Sequence, residues 1–339
     1  MAIWRLLVEG RPRLALGPAD DGPAELLDPG ATIDGVLGGD PGALAALLDA
    51  PAGDLVPDGA QLLAPVGTQP VWAAGVTFLR SRDARLEESR GLDAYDKVYL
   101  ADRPELFLKA LPGTARGPGQ PIGVRADSDW DVPEPELAVV ADRRGRIVAY
   151  SIGDDVSSRS IEGENPLYLP QAKLYRGSCA LGPCLVPVGE APEPEAMEIE
   201  LVIERDGAEL FRDRCSVADM KRSPPELVDW LWRGQDLPVG AVLLTGTSIV
   251  PPPELSLRPG DQVAITITGL GTLTNPVEPV DTTGARPGLT GAQAGALTSK
   301  AIPVSRSDTA HRVAMASRSR VRRNSGRRTG GPQFTQRGV

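Results

Sequence analysis

The chain has 339 residues, enough to bury a sizeable core, and its 33 prolines and 38 glycines imply many turns and short elements rather than long helices. Its net charge of −9 hides a division, because eleven Lys/Arg against one Asp give Thr283–Val339 a charge of +10 and leave −19 on residues 1–282, an acidic body that implies no nucleic-acid or membrane partner. The single histidine, His311, lies in the basic stretch, so the rest of the chain has neither a Ser-His-Asp nor a Cys-His mechanism nor a histidine-rich zinc site, and proton transfer falls to Glu, Asp, Lys, Tyr, Cys or metal-bound water.

The opening Met1–Glu9 has no apolar core long enough for a signal peptide, and no run approaches the length of a membrane span, which reads as a soluble, cytoplasmic protein. Cys179, Cys184 and Cys215 make an odd count without metal spacing and are expected to be reduced and incidental.

In chain order, residues 1–67 read as a small α+β domain, with a strand at Ile3–Val8 and a helix entered through Asp40-Pro41 and continuing over Ala43–Leu48. The loop Ala64–Pro70 marks a boundary. Val71–Phe78 has the pattern of a buried strand and runs into a charged helix over Ser81–Ser89. A stretch with Tyr95, Lys97 and Tyr99 is expected to be mobile. Pro104–Lys109 then alternates with Glu105, Phe107 and Lys109 on one face, a pattern that by itself reads as a surface row of ion pairs.

Trp130–Val140 holds the most telling spacing. Glu134 and Glu136 are two residues apart in a run ending in β-branched residues, so both carboxylates leave one face of a strand, and Pro133 and Pro135 suit an edge or a cleft wall. A turn at Asp142–Gly145 folds the chain back into Ile147–Ile152. With that turn centred on Arg143-Arg144, Glu134 lies opposite Gly153, and Asp155 is a diagonal neighbour at about 7–8 Å. Three carboxylates this close either share a proton or hold a cation, unless the strand face is simply acidic and solvated. With no histidine or thiolate beside them, the hard ions Mg²⁺ and Mn²⁺ are favoured, with Ca²⁺ an alternative.

Further on, Arg159–Asn165 reads as polar loop or short helix. Lys173 ends a proline-bounded segment, where a lysine is either an ordinary surface group or an electrostatic or acid–base one. Met197–Ile203 and Ala208–Arg212 alternate around Asp206-Gly207 as a hairpin, and Ser223-Pro224-Pro225-Glu226 is a capping box opening a helix through Trp232. Ala241–Ser248 is a buried strand ending in a small polar turn able to offer N–H groups to an anion, and Gln262–Thr268 and Gly269–Val277 close a body of about ten short strands, a mixed β-sandwich or roll.

These residues also resemble a known family. Glu134-Pro135-Glu136-Leu137, Ile152-Gly153-Asp154-Asp155-Val156-Ser157-Ser158-Arg159 and Leu244-Thr245-Gly246-Thr247 are similar, in order, to the E-x-E strand, the G-N-D-V-S-A-R motif and the T-G-T turn of the fumarylacetoacetate hydrolase superfamily, over about two hundred residues from Gly75 to Val277. Within it, Gly75–Phe78 with Arg80-Ser81-Arg82, Glu162–Lys173 and Thr247–Pro252 resemble the branch of the 2-keto-3-deoxy-D-arabinonate dehydratase type.

The resemblance implies a mainly β fold with α (α+β) and a fumarylacetoacetase-like catalytic domain over 68–280 after the small N-terminal domain; the basic stretch over 281–339, rich in Gly, Ser, Thr and Arg and almost without apolar periodicity, is expected to be a disordered tail. It implies Mg²⁺ held by Glu134, Glu136 and Asp155, acid–base roles for Glu105 and Lys173, and substrate binding by Thr247, Arg80, Arg82 and Gln171. The activity so implied is dehydration of a 2-keto-3-deoxy sugar acid to 2,5-dioxopentanoate by a homodimer or larger assembly. Hydrolysis, decarboxylation or isomerisation of an acylpyruvate, or metal binding without catalysis, are the alternatives.

Two departures bear on that choice. Hydrolytic members carry a water-activating histidine where this chain reads Leu79-Arg80-Ser81-Arg82, which argues for elimination. Asp154 and Ser160 replace the commoner Asn and Asp of the second motif.

Overall fold

Short apolar runs become strands here, and turns fall where Gly, Asp and Pro interrupt them. The computed structural model describes residues 1–51, 53–88 and 94–281. Its strands are β1 (Ala2–Val8), β2 (Arg11–Gly17), β3 (Glu25–Leu26), β4 (Gln61–Leu62), β5 (Val71–Gly75), β6 (Glu105–Ala110), β7 (Ile122–Arg125), β8 (Asp131–Val132) and β9 (Pro135–Ala141). They continue with β10 (Ile147–Asp155), β11 (Ser157–Ser158), β12 (Cys179–Pro187), β13 (Glu198–Arg205), β14 (Ala208–Ser216), β15 (Ala241–Leu244), β16 (Gln262–Ile267) and β17 (Gly271–Val280). The helices are short: α1 (Ile33–Leu37), α2 (Ala43–Leu48), α3 (Leu79–Glu88), α4 (Ala94–Leu100), α5 (Arg159–Glu164), α6 (Leu169–Lys173) and α7 (Pro224–Trp232). The fold is mainly β with α, as expected, and the strands outnumber the ten anticipated because several are two-residue pairings too short to leave a pattern.

A ten-stranded mixed sheet runs in the order β3-β2-β1-β12-β10-β9-β15-β5-β6, with β4 beside β1. A second sheet, β14-β13-β16-β17-β7, covers one of its faces. Strand β9 is buried on both sides. Leu137, Val139 and Ala141 pack into one core with Ile199, Leu201, Val263 and Leu273 of the second sheet, while Ala138 and Val140 pack into another with Ile33, Leu37 and Val71.

The boundary expected after residue 67 is crossed by this sheet. Strand β1 pairs antiparallel with β12 through Ile3 and Leu185, so the N-terminal strands extend the sheet that carries Glu136 and Asp155. Apart from Asp281, the basic tail expected over 281–339 lies outside the described residues.

Local sequence signals translate directly at two places. Asp206 and Gly207 sit at φ 54° and 77°, the two left-handed positions of the tight turn joining β13 to β14. At α7, the Ser223 hydroxyl accepts from the N–H of Glu226 and Pro224 occupies the first turn, where its missing donor costs nothing. The stretch expected to be mobile differs: Tyr95, Lys97 and Tyr99 belong to α4, and the Tyr99 ring lies 5.1 Å from the Arg82 guanidinium and 4.3 Å from Lys221 Nζ.

Asp131, in β8, is buried with Oδ1 lacking a hydrogen-bond partner, and burial pushes its pKa up to about 6. A native value above the unfolded one means that stability is lost as pH rises from about 4 through 6. Asp131→Asn is therefore expected to stabilise the protein by about 1–3 kcal/mol at pH 8 and to leave it nearly unchanged at about pH 3.5, below both values, as thermal melts at the two pH values will read.

Candidate active site and metal centre

The site forms where five strands end together. Glu134 immediately precedes β9 and Glu136 lies within it, at the stretch where β15 has already stopped and its turn takes over as neighbour; this is where Pro133 and Pro135 need no ladder partner on that side. The hairpin register is two residues tighter than the turn position implies. The loop is Arg143–Gly145, with Gly145 at φ 74°, closed by the bond from the Asp142 N–H to the Arg146 carbonyl. A bulge between Ile147 and Ala149 adds one more residue. In consequence Glu136 faces Gly153, and Glu134 lies directly opposite Asp155, whose N–H donates to the Glu134 carbonyl at 3.0 Å.

The three carboxylates are buried, and one oxygen from each lies within 4.8 Å of the other two. Around them stand three cations. Lys173 Nζ, at the end of α6, donates to Glu134 Oε2 at 2.6 Å and to Asp155 Oδ2 at 3.0 Å. Arg159 donates to Glu134 Oε1 at 3.2 Å and lies over the Trp130 ring. Lys109 Nζ sits 2.5 Å from Asp155 Oδ1. The sequence left Lys173 open between a surface and a catalytic lysine; it is buried, 5.6 Å from the Phe107 ring centre. Lys109 corrects the expected surface row more sharply, for it has no exposed surface at all.

Glu136 depends on the turn after β15. Its Oε2 accepts from the Gly246 N–H at 2.6 Å, so the donor expected to meet an anionic ligand is directed at a protein carboxylate. Burial, and then the charges of Asp155 and Glu134, hold the Glu136 pKa well above the usual carboxylate range. Gly246 stands at φ 95°, and a Cβ there would meet Thr77 Oγ1 at 2.0 Å; that hydroxyl in turn donates to the Thr245 carbonyl at 2.6 Å. On the reverse of the strand pair, Asp154 accepts from the Glu134 N–H at 3.0 Å, and burial lifts its pKa to about 8.

Glu105, half-buried at the start of β6, faces the same cleft across Gly75, to which it is paired. The cleft is lined also by Thr247, Ser81, Glu162, Phe107 and Leu169. Val76, on its wall, has φ 53°, a strained backbone for a β-branched residue, of the kind that collects at working sites. A Cβ at Gly75 would come within 2.1 Å of Glu105 Oε2. Gly75→Ala is expected to cut turnover by about 10–100-fold by swinging that carboxylate aside. Because the displaced atom is the tip of a flexible side chain, unfolding free energy should change by no more than about 1 kcal/mol; comparing kinetics with a denaturant titration checks both halves.

Of the residues singled out in the sequence, Glu105, Glu134, Glu136, Asp155, Lys173 and Thr247 come together in this cleft. Arg80, Arg82 and Gln171 are not in its lining. Arg80 pairs with Asp213 at 2.8 Å beside an outer groove with Trp130 and Pro251–Pro253, Arg82 pairs with Asp83, and Gln171 is exposed. Lys109, Arg159 and Glu162 were not singled out as site residues. A signal was available for Arg159, which ends the second motif, and for Glu162, which opens the stretch Glu162–Lys173. Cys179 and Cys184 are buried free thiols whose pKa burial raises, in keeping with an incidental role.

Three hard oxygen donors within reach of one point, with neither histidine nor thiolate among them, fit a divalent cation that prefers oxygen. Among the described residues no helix is long and apolar enough to cross a membrane.

Comparison with known proteins agrees with this geometry. The chain is 53% identical over 216 residues to a probable 2-keto-3-deoxyxylonate dehydratase of Haloferax volcanii, covering 64% of this chain and 74% of that one. It is 44% identical over 218 residues to the 2-dehydro-3-deoxy-D-arabinonate dehydratase of Saccharolobus solfataricus, covering 63% and 73%. A solved 2-keto-3-deoxy-D-arabinonate dehydratase, complexed with magnesium and 2,5-dioxopentanoate, superposes with a TM-score of 0.70 at 34% identity over 83% of this chain and 99% of that one. Residues 86–278 match the family described as Fumarylacetoacetate (FAA) hydrolase C-terminal, and the chain belongs to that family.

Proposed function

We propose that this protein is a Mg²⁺-dependent hydro-lyase that dehydrates a 2-keto-3-deoxy sugar acid to 2,5-dioxopentanoate. One observation carries the reading: a buried trio of carboxylates, Glu134, Glu136 and Asp155, opens into a cleft that also holds Lys173 and Glu105. The dehydratases named above, one of them with magnesium and 2,5-dioxopentanoate bound, support it. Absence of histidine from the described residues supports elimination over hydrolysis by a histidine-activated water. A cytoplasmic homodimer or larger assembly belongs to the same reading.

Glu134, Glu136 and Asp155 would hold the cation, which when bound supplies Lewis acidity towards a 2-oxo acid. The residues of the chain do the rest. Lys173 and Glu105 divide the proton transfers: one takes a proton from C3 of the substrate, and the other protonates the C4 hydroxyl as it departs as water. Tautomerisation of the resulting unsaturated keto acid then moves a proton from C5 to C3 to give a C4–C5 enol, whose hydroxyl proton passes to C4 and leaves an aldehyde at C5. Lys173 is kept in place by Glu134 and Asp155, and the Phe107 ring shields it from water. Thr247, which lines the same cleft, would meet a carboxylate or hydroxyl of the substrate.

The test is a product assay. Purified protein with Mg²⁺ is given 2-keto-3-deoxy-D-arabinonate, the corresponding xylonate and an acylpyruvate, with and without chelator. Aldehyde from a sugar acid, abolished by chelator, is the expected result. Acid products from the acylpyruvate with no aldehyde would overturn the reading.

A further inference from the structure

Lys109 has no exposed surface and is not itself in the cleft lining, yet it contacts two residues that are, Asp155 and Lys173, on which the proposed dehydration rests. Its ammonium has three donors, and three acceptors surround it. Asp155 Oδ1 lies at 2.5 Å, the Val156 carbonyl at 2.9 Å and the Lys173 carbonyl at 2.5 Å. A charge without access to water persists only when partnered in this way.

The three acceptors come from two separate pieces of chain. Asp155 closes β10 and Val156 directly follows it, whereas Lys173 ends α6, a helix of five residues whose last carbonyls have no partner of their own within it. Lys109 itself is four residues on from Glu105 in β6, at the irregularity where Val71 faces Ala110 and Trp72 faces Leu108. One side chain thus ties together the strand carrying Glu105, the carboxylate of Asp155 and the main chain of Lys173. Asp155 is bracketed by two ammonium groups, Lys109 on Oδ1 and Lys173 on Oδ2 at 3.0 Å.

We propose that Lys109 is a positioning residue for the reaction: it fixes the plane of the Asp155 carboxylate and anchors the end of α6, so that Lys173 enters the cleft from one place. It meets no substrate. Its hydrogen bonds to the two carbonyls hold α6 against β10, and its charge prevents Asp155 from turning Oδ1 towards the cleft.

Lys109→Met and Lys109→Gln separate this from a packing role. Methionine fills the slot without donors; glutamine is shorter and polar but can still donate to a carbonyl. If Lys109 only fills space, activity will follow melting temperature, and the methionine variant will be the better on both counts. If it positions, the order of activity reverses. The expected result is a methionine variant that melts cooperatively, with kcat lowered about 100-fold and KM within about threefold, and a glutamine variant with more of the native kcat.

Hydrogen exchange read by mass spectrometry on the metal-free protein gives a second measure that needs no turnover. Amides of residues 167–175 should exchange at least about tenfold faster in the methionine variant, while those of β13 and β16 stay unchanged. Native kcat within tenfold in the methionine variant, unchanged exchange in that segment, or loss of the folding transition in both variants would overturn the proposal. Failure of the unaltered protein to dehydrate any sugar acid would sink the functional reading alone, since the exchange comparison would still stand.

Discussion

Lys173→Met is expected to lower dehydration by about 10³-fold or more while leaving a folded protein, the scale at which loss of a positioned acid–base group is felt. The same substitution should show in the absence of turnover. Lys173 Nζ is the shared donor to Glu134 and Asp155, both buried, so removing it leaves their charges closer to uncompensated in a site that excludes water. Breaking a buried pair of this kind costs about 3–5 kcal/mol, and the metal-free variant should melt well below the native protein. Added Mg²⁺ supplies positive charge at the same carboxylates. It should therefore raise the melting temperature of the variant by more than it raises that of the native protein. Undiminished dehydration would remove Lys173 from the reaction, and an equal Mg²⁺ shift in both proteins would separate it from the carboxylate trio.

Glu136→Gln is expected to do the opposite to stability while also stopping the reaction. The amide oxygen can keep the bond from the Gly246 N–H, so the turn after β15 should remain in place. Turnover should fall by more than about 100-fold, beyond what loss of an outer partner of a metal site costs. The stabilisation that the native protein gains from the ion, about 2.7 kcal/mol at a hundredfold excess over Kd, should be lost with it.

The pH dependence has a definite sign. The native pKa of Glu136 is held far above its unfolded value, so its ionisation weighs against the metal-free fold increasingly as pH rises above about 4.3. Without Mg²⁺, the variant should match the native protein at about pH 4 and below and exceed it increasingly towards pH 8. Melting both proteins across that range with chelator present checks the sign, and a constant difference would contradict it. Calorimetry showing native-like Mg²⁺ affinity in the variant would remove Glu136 from the proposed ligand set.

What the sequence told in advance was local. Glu134 and Glu136 on one strand face, the hairpin bringing Asp155 to them, the Asp206-Gly207 turn and the Ser223 cap each follow from a few neighbouring residues. The register did not, because the three-residue loop Arg143–Gly145 and a bulge near Val148, decided by how β10 fits between β9 and β12, each shift it by one residue and together move Asp155 from a diagonal to a direct partner of Glu134. Depth was equally hidden: alternation places Glu105, Phe107 and Lys109 on one face, but not that the face closes completely over Lys109. Arg80 and Arg82 flank the cleft residue Ser81 in sequence, but residues adjacent on a helix point in different directions, and neither joins Ser81 in the lining.

The pairing of Ile3 with Leu185 carries one more consequence. A fragment cut at residue 67 would lose β1 and bare the flank of β12, exposing a row of unpaired amides and carbonyls around Leu185. Such a rim recruits other chains, so the first sixty-odd residues act as a built-in guard against self-association of the sheet that carries Asp155.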